Sequence, residues 1–153
     1  FRLAGSKDMG FSLAGGHPGS TYGETQGNTM SDSDLIKLYS ARILALAADI
    51  PHHGRLSAPQ GTARRRSPLC GSTVTADVVV RDGRVADFAQ DVKACALGQA
   101  SAAILGDEVI GRDLAGLQAA RAGLAAMLTA GGPPPFAGYE VLTPARDYTN
   151  RHA

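Results

Sequence analysis

The chain has 153 residues and a mass of 15.7 kDa, enough for one ordinary domain and too little for a large doubly wound or barrel enzyme. Its 15 Lys and Arg against 14 Asp and Glu leave a formal charge of +1, and 44% of residues are apolar. That is the composition of a soluble globular domain, without the charge bias of a nucleic-acid binder. Arg64-Arg65-Arg66 is the only concentrated basic run and is expected to be a solvated loop. No stretch approaches the ~18 consecutive apolar residues of a membrane-spanning helix, so neither membrane nor nucleic acid is expected as a partner. Two cysteines do not make a secreted disulfide scaffold. The expectation is a cytoplasmic protein with reduced thiols.

Residues 1–29 hold seven glycines and no sustained periodicity, which predicts a disordered leader that buries no continuous face. The domain is expected to span 30–153. Ser33 can cap an amphipathic helix running to about Asp49, in which Leu35, Leu38, Tyr39, Arg42, Ile43 and Leu46 share a face and Pro51 forces the end. Residues 51–69 carry three prolines, two glycines and few large apolar side chains, which predicts an irregular crossing.

The middle of the chain alternates. Val74, Ala76, Val78 and Val80 predict a half-buried strand facing helices, Asp82-Gly83 a hairpin, and Ala86, Phe88, Gln90 and Val92 the returning strand. Parity favours a three-residue loop, 81–83, with Gly83 left-handed beside a bulge. That register sets Val80 opposite Arg84 and Val78 opposite Ala86, and keeps Asp87 away from the valine face.

A small-residue helix is expected from Ala96 to Leu105, with Gly106 and Gly111 as its frayed exit. A further helix follows, capped by Asp113, with Leu114, Leu117, Arg121, Leu124 and Leu128 on one face and a stop at Gly131-Gly132. Thr143-Pro144 predicts a last helix. It would run only about ten residues to Ala153, short for a packed terminal helix, so a longer natural C-terminus is expected.

Cys70 and Cys95 are 25 positions apart, with the hairpin turn midway, so the hairpin folds both thiols to one end of the sheet. Nearby thiols have three readings: small core residues, a disulfide, or ligands of a metal or Fe–S cluster. The surroundings favour ligands. Cys70 precedes Gly71 in a loop entering a strand, and Cys95 sits where a strand becomes a helix, whose free amides favour a thiolate. Lys93, on the same strand face, can add positive charge. No Cys-x-x-Cys supports a thiol redox enzyme, and no Ser/His/Asp or paired-carboxylate constellation supports hydrolysis. His52 and His53 are expected to be solvated loop residues.

Pro68-Leu69-Cys70-Gly71, the Asp82-Gly83 hairpin and Ala94-Cys95-Ala96-Leu97-Gly98-Gln99-Ala100-Ser101, together with Tyr39, the Pro51–Gly54 corner and His152, resemble the iron–sulfur cluster assembly scaffold family of IscU, SufU and the NifU N-terminal domain. The resemblance spans about Ser33 to Ala153. It implies an α+β domain with a small three-stranded antiparallel sheet packed against several helices. It also implies a non-enzymatic scaffold that receives sulfur from a cysteine desulfurase, builds a transient [2Fe–2S] cluster and passes it to apo-proteins. Cys70, Cys95 and His152 would be its cluster- and metal-binding residues. Ser72 stands where the family usually has Asp, and Ala153 where it usually has a third Cys. Two cysteines and a histidine fall short of the four ligands of a structural zinc site. The alternative function is a degenerate, metal-free or zinc-binding interaction module for the desulfurase.

Overall fold

The computed structural model describes residues 31, 33, 39–149 and 152; the expectations for the leader 1–29, for Leu35 and Leu38, and for Ala153 lie outside the described residues. Helix α1 (Ala41–Ala48) leads into strands β1 (Gly61–Arg66), β2 (Thr73–Arg81) and β3 (Arg84–Lys93), then α2 (Ala96–Glu108), α3 (Leu114–Ala130) and a run of 3-10 turns over Ala137–Asp147. The strands form one antiparallel sheet in the order β1-β2-β3. The class is α+β, as expected.

Two strand expectations need correction. The irregular crossing contains β1, which pairs Gly61 to Arg66 with Val78 to Thr73. Its sequence Gly-Thr-Ala-Arg-Arg-Arg shows no apolar alternation because it is an exposed edge strand, so the arginine run is strand rather than loop. The hairpin register also differs. Val80 pairs with Val85 and Arg81 with Arg84, leaving a two-residue loop in which both Asp82 (φ 52°) and Gly83 (φ 72°) are left-handed, as a type I′ turn requires. The pairing then slips by one residue, because Val79 faces Asp87, so the bulge falls at Ala86 instead of in the turn. This bulge brings Val85 and Phe88, three apart, to the same buried cluster with Ala76 and Val78. Val80, beyond the bulge, is 42% exposed and does not face the helices as expected.

On the opposite face Asp77 is fully buried. Its carboxylate accepts from Arg55 Nε (2.6 Å) and Nη2 (3.0 Å), from the Leu56 amide (3.1 Å) and from Thr62 Oγ1 (2.6 Å). It thereby pins the 55–56 segment and β1 to the sheet, and it is held well below the usual carboxylate range, chiefly by the Arg55 hydrogen bond. The outer edge of β3 is closed at both ends. The Gln90 amide donates to His52 O and the Gly54 amide to Gln90 O, while the Val85 amide donates to Arg112 O and the Gly111 amide to Val85 O.

The expected first helix is interrupted within the described residues. Tyr39 is a turn and Ser40, extended in backbone, caps α1 through Oγ, which accepts from the Ile43 amide at 3.4 Å. The interruption before Ala41 is not visible in the 3.6-residue pattern, which continues through it. Gly106 lies inside α2, buried against Pro51 and Gln90, rather than fraying its end; Gly111 (φ 80°) is the exit. Helix α3 keeps its expected bounds, with Asp113 Oδ1 accepting from the Gly116 amide at 2.7 Å and Gly131 (φ 72°) ending it. The last segment begins before Thr143-Pro144, at Phe136, whose ring stacks on Tyr139; Thr143 donates to Glu140 O and caps nothing. Ile43, Leu97, Ala100, Ile104, Met127, Phe136, Tyr139 and Leu142 form the main core, with α2 at its centre.

Candidate functional site

Cys70 lies in the turn that joins β1 to β2, a loop entering a strand as expected. The turn is closed by the Ser67 amide on Ser72 O (2.8 Å) and the Gly71 amide on Ser67 O (3.1 Å), with Gly71 left-handed at φ 73°. Ser67 is buried beneath it, and its Oγ accepts from the Cys70 amide at 3.4 Å. The Cys70 sulfur is exposed between two hydroxyls, with Sγ 3.3 Å from Ser67 Oγ and 3.0 Å from Ser72 Oγ. Hydrogen bonding with the Ser67 side chain, then with the Ser72 side chain and backbone, lowers this thiol from 9.0 to about 7. The turn thus favours the thiolate, the form that binds a soft metal or attacks a sulfur electrophile.

Cys95 is the half-buried residue that begins α2, with extended backbone (φ −66°, ψ 168°) and no side-chain capping bond, so its sulfur is not consumed by the helix end. A Cβ at Gly98 would come 2.8 Å from the Ala94 Cβ. The glycine that argues against helix on propensity thus lets the first turn of α2 close onto the strand exit and sets where Cys95 emerges. Lys93 is exposed, its Nζ 4.0 Å from Asp91 Oδ2. His152 sits against the end of the 3-10 segment, its Nε2 2.9 Å from Ala145 O and its amide donating to Thr149 O.

Cys70, Cys95 and His152 all line one cavity of about 500 Å³ at the open end of the sheet. Leu97, Leu105, Leu124 and Leu128 line it as well, together with Arg65, Arg66, Ser67 and Ser72. The two cysteines thus line one cavity, Cys70 from a turn and Cys95 from a helix end. Among the described residues no three His, Cys, Asp or Glu side chains converge closely enough to hold a metal ion. The donor chemistry fits a cluster only in part: two thiols and one imidazole at a shared cavity, against the four protein ligands a permanent [2Fe–2S] site uses. Sequence reasoning missed Ser67, Arg65 and Arg66. Ser67 had no signal beyond its closeness to Cys70, and the arginines were hidden by the missing edge strand. His52 and His53 lie away from this cavity, on the outer edge of β3.

Among the described residues no helix is long and apolar enough to cross a membrane. No protein-family model matches the chain, and no curated protein does. Solved structures do match. The crystal structure of a nitrogen-fixing NifU-like protein, N-terminal part, from Brucella abortus is 44% identical, covers 78% of this chain and 85% of its own, and superposes with a TM-score of 0.75. A putative iron–sulfur cluster assembly scaffold protein for the SUF system from Fervidobacterium islandicum AW-1 shares the fold at 17% identity, covering 76% of this chain and 88% of its own with a TM-score of 0.69. At the first of these identities and coverages the chain belongs to the NifU-like family, in the N-terminal part of it that this relative represents.

Proposed function

We propose that this chain is an iron–sulfur cluster assembly scaffold or carrier, binding iron and a transient [2Fe–2S] cluster as cargo through Cys70 and Cys95, with His152 at the same cavity. The observation that carries the reading is that two cysteines on separate elements open onto one cavity in a NifU-like fold. Cys70 is the thiol poised to be ionised at neutral pH, and thiolates are the ligands that iron–sulfur clusters take. A cysteine desulfurase would supply the sulfur in the reducing cytoplasm, and apo-proteins would accept the product; the chain itself turns over no small molecule. The ligand set seen among the described residues suits a carrier, because a cluster without a full protein cage is open to displacement by an acceptor's thiolates. The test is transfer. Incubated anaerobically with a cysteine desulfurase, cysteine and ferrous iron, the chain should develop a visible cluster spectrum that disappears as an added apo-ferredoxin gains its own. An apo-ferredoxin that matures equally fast with Cys70→Ala/Cys95→Ala protein would contradict it.

One observation favours a second reading. Ser72 Oγ is 3.0 Å from Cys70 Sγ, so the residue standing where the family usually places Asp serves the thiol. A metal-free or zinc-binding docking module for the desulfurase would tolerate that change. It predicts desulfurase binding that survives loss of both cysteines, with no cluster formed by any variant.

A further inference from the structure

The two edges of the sheet are treated differently. Backbone from 52–54 and 111–112 covers the outer edge of β3, whereas β1 pairs with β2 alone. The register fixes which groups β1 leaves over. The Ser67 amide donates to Ser72 O, and hydrogen-bonded pairs alternate along an antiparallel ladder, so Arg65–Val74, Ala63–Ala76 and Gly61–Val78 bond directly. The amides and carbonyls of Thr62, Arg64 and Arg66 therefore point away from β2, on a stretch exposed throughout. Arg65 Nη1 donates to Arg64 O at 3.0 Å; among the described residues the other outward groups have no backbone partner. This stretch also carries three consecutive arginines. Arg64 and Arg66 share the face of Thr62 and Asp77, and Arg65 lies on the other. The ion pairs among the described residues, Arg55–Asp77, Lys93–Asp91 and Arg112–Glu108, include none of the three.

We propose that the free edge of β1 takes an acidic, extended segment of a partner protein as a fourth, antiparallel strand. Backbone groups supply the ladder and the arginines select the charge. An incoming amide replaces Arg65 at Arg64 O, an exposed bond, and the released guanidinium is free for a carboxylate on its own face. Charge on an edge also deters self-association: a second copy laid antiparallel about Arg64 would set Arg64 against Arg64, like charge against like. The same charge attracts an acidic strand. Residues directly opposite share a face, so the incoming residues that bond to Arg64 and Arg66 are also those whose side chains stand beside them. Acid and ladder bond thus fall on the same alternate positions. Strand β1 runs into the turn that carries Cys70, so an antiparallel partner passes that turn with the residues preceding its acidic run. Such docking requires neither metal nor cluster.

A fluorescein-labelled hexapeptide of alternating Glu and Val is the probe, read by anisotropy on the full chain. Saturable binding is expected. Methylating the amide nitrogens of its glutamates should weaken binding at least tenfold, because those amides meet the edge. Methylating those of its valines, which face solvent, should leave binding within about twofold. Arg64→Glu/Arg66→Glu should lose the Glu-Val peptide at least tenfold and gain a Lys-Val one; both side chains are exposed, and a melting curve confirms the fold. Binding that survives methylation of the glutamates overturns the proposal, since charge alone would then hold the peptide. Equal affinity for an oligothymidylate of the same charge, a polyanion without amides, overturns it likewise, as does the absence of saturable binding. A folded charge-reversed variant that binds the Glu-Val peptide as well as the parent also overturns it. A dimer in sedimentation that the peptide disperses would make a second copy the occupant and overturn it too.

Discussion

Replacing Gly106 by alanine should destabilise the protein even though alanine is the better helix former. A Cβ there would come 2.9 Å from Gln90 Nε2, 3.1 Å from Pro51 Cβ and 3.1 Å from Pro51 O. Gln90 is 1% exposed, and its Nε2 donates to Pro51 O (3.0 Å) and Ala102 O (2.9 Å). It therefore ties together β3, the corner before β1 and the middle of α2. The side chain cannot yield without loosening both bonds. Alanine gains about 1 kcal/mol in helix propensity. Displacing the amide leaves a buried donor unsatisfied, at about 1–3 kcal/mol, and forfeits a second bond worth about 1 kcal/mol. The net loss is about 1–3 kcal/mol, measurable as a lower urea midpoint at unchanged slope. The stronger check is a double-mutant cycle with Gln90→Ala, which removes the obstructing amide. Gly106→Ala should then cost much less, only the Pro51 contacts remaining, with a coupling of about 1–3 kcal/mol. Additive effects, or a Gly106→Ala variant as stable as the parent, would refute the close contact as the reason for this glycine.

Cys70 should be alkylated by iodoacetamide with a half-maximal rate near pH 7. Ser67→Ala or Ser72→Ala should move that midpoint upward, because each hydroxyl stabilises the thiolate; an unmoved midpoint would contradict it. Asp77 is held below its ordinary value in the fold, so its contribution is present above the unfolded carboxyl value of about 3.9 and is lost as pH falls toward the folded value. Asp77→Asn should lower stability at neutral pH and flatten its decline below about pH 4, as followed by urea midpoints across pH; a parallel decline would contradict it. Ser72→Asp should tighten ferrous iron binding by adding an oxygen ligand beside Cys70, and His152→Ala should weaken it modestly. Anaerobic titration giving equal affinities would remove both residues from the site.

What the sequence made legible follows from where its signals lie. Helix α3 keeps its bounds because its start and stop are local chemistry, the Asp113 cap and the left-handed Gly131. That Cys70 and Cys95 line one cavity is legible because any hairpin centred on Asp82-Gly83 returns the chain to the same end, whatever its register. The register itself is not, since parity assumes unbroken alternation and the bulge at Ala86 breaks it. Parity also treats an aspartate facing inward as waste, whereas Asp77 is buried by design through Arg55 and Thr62, partners 22 and 15 residues away. Strand β1 escapes notice because an exposed edge needs no apolar residues. That omission hides the position of Arg65 on the cavity face. The two hydroxyls around Cys70 depend on the fold of a six-residue turn, which spacing alone does not specify.

Anaerobic reconstitution with ferrous iron and sulfide reads whether Cys70 and Cys95 together hold an iron–sulfur cluster, as proposed. Iron and acid-labile sulfide should appear in equal amounts on the desalted wild-type chain, with a visible charge-transfer spectrum, and both should be lost in Cys70→Ala/Cys95→Ala. Iron and sulfide on the wild type no higher than on that double variant would contradict ligation by the two cysteines.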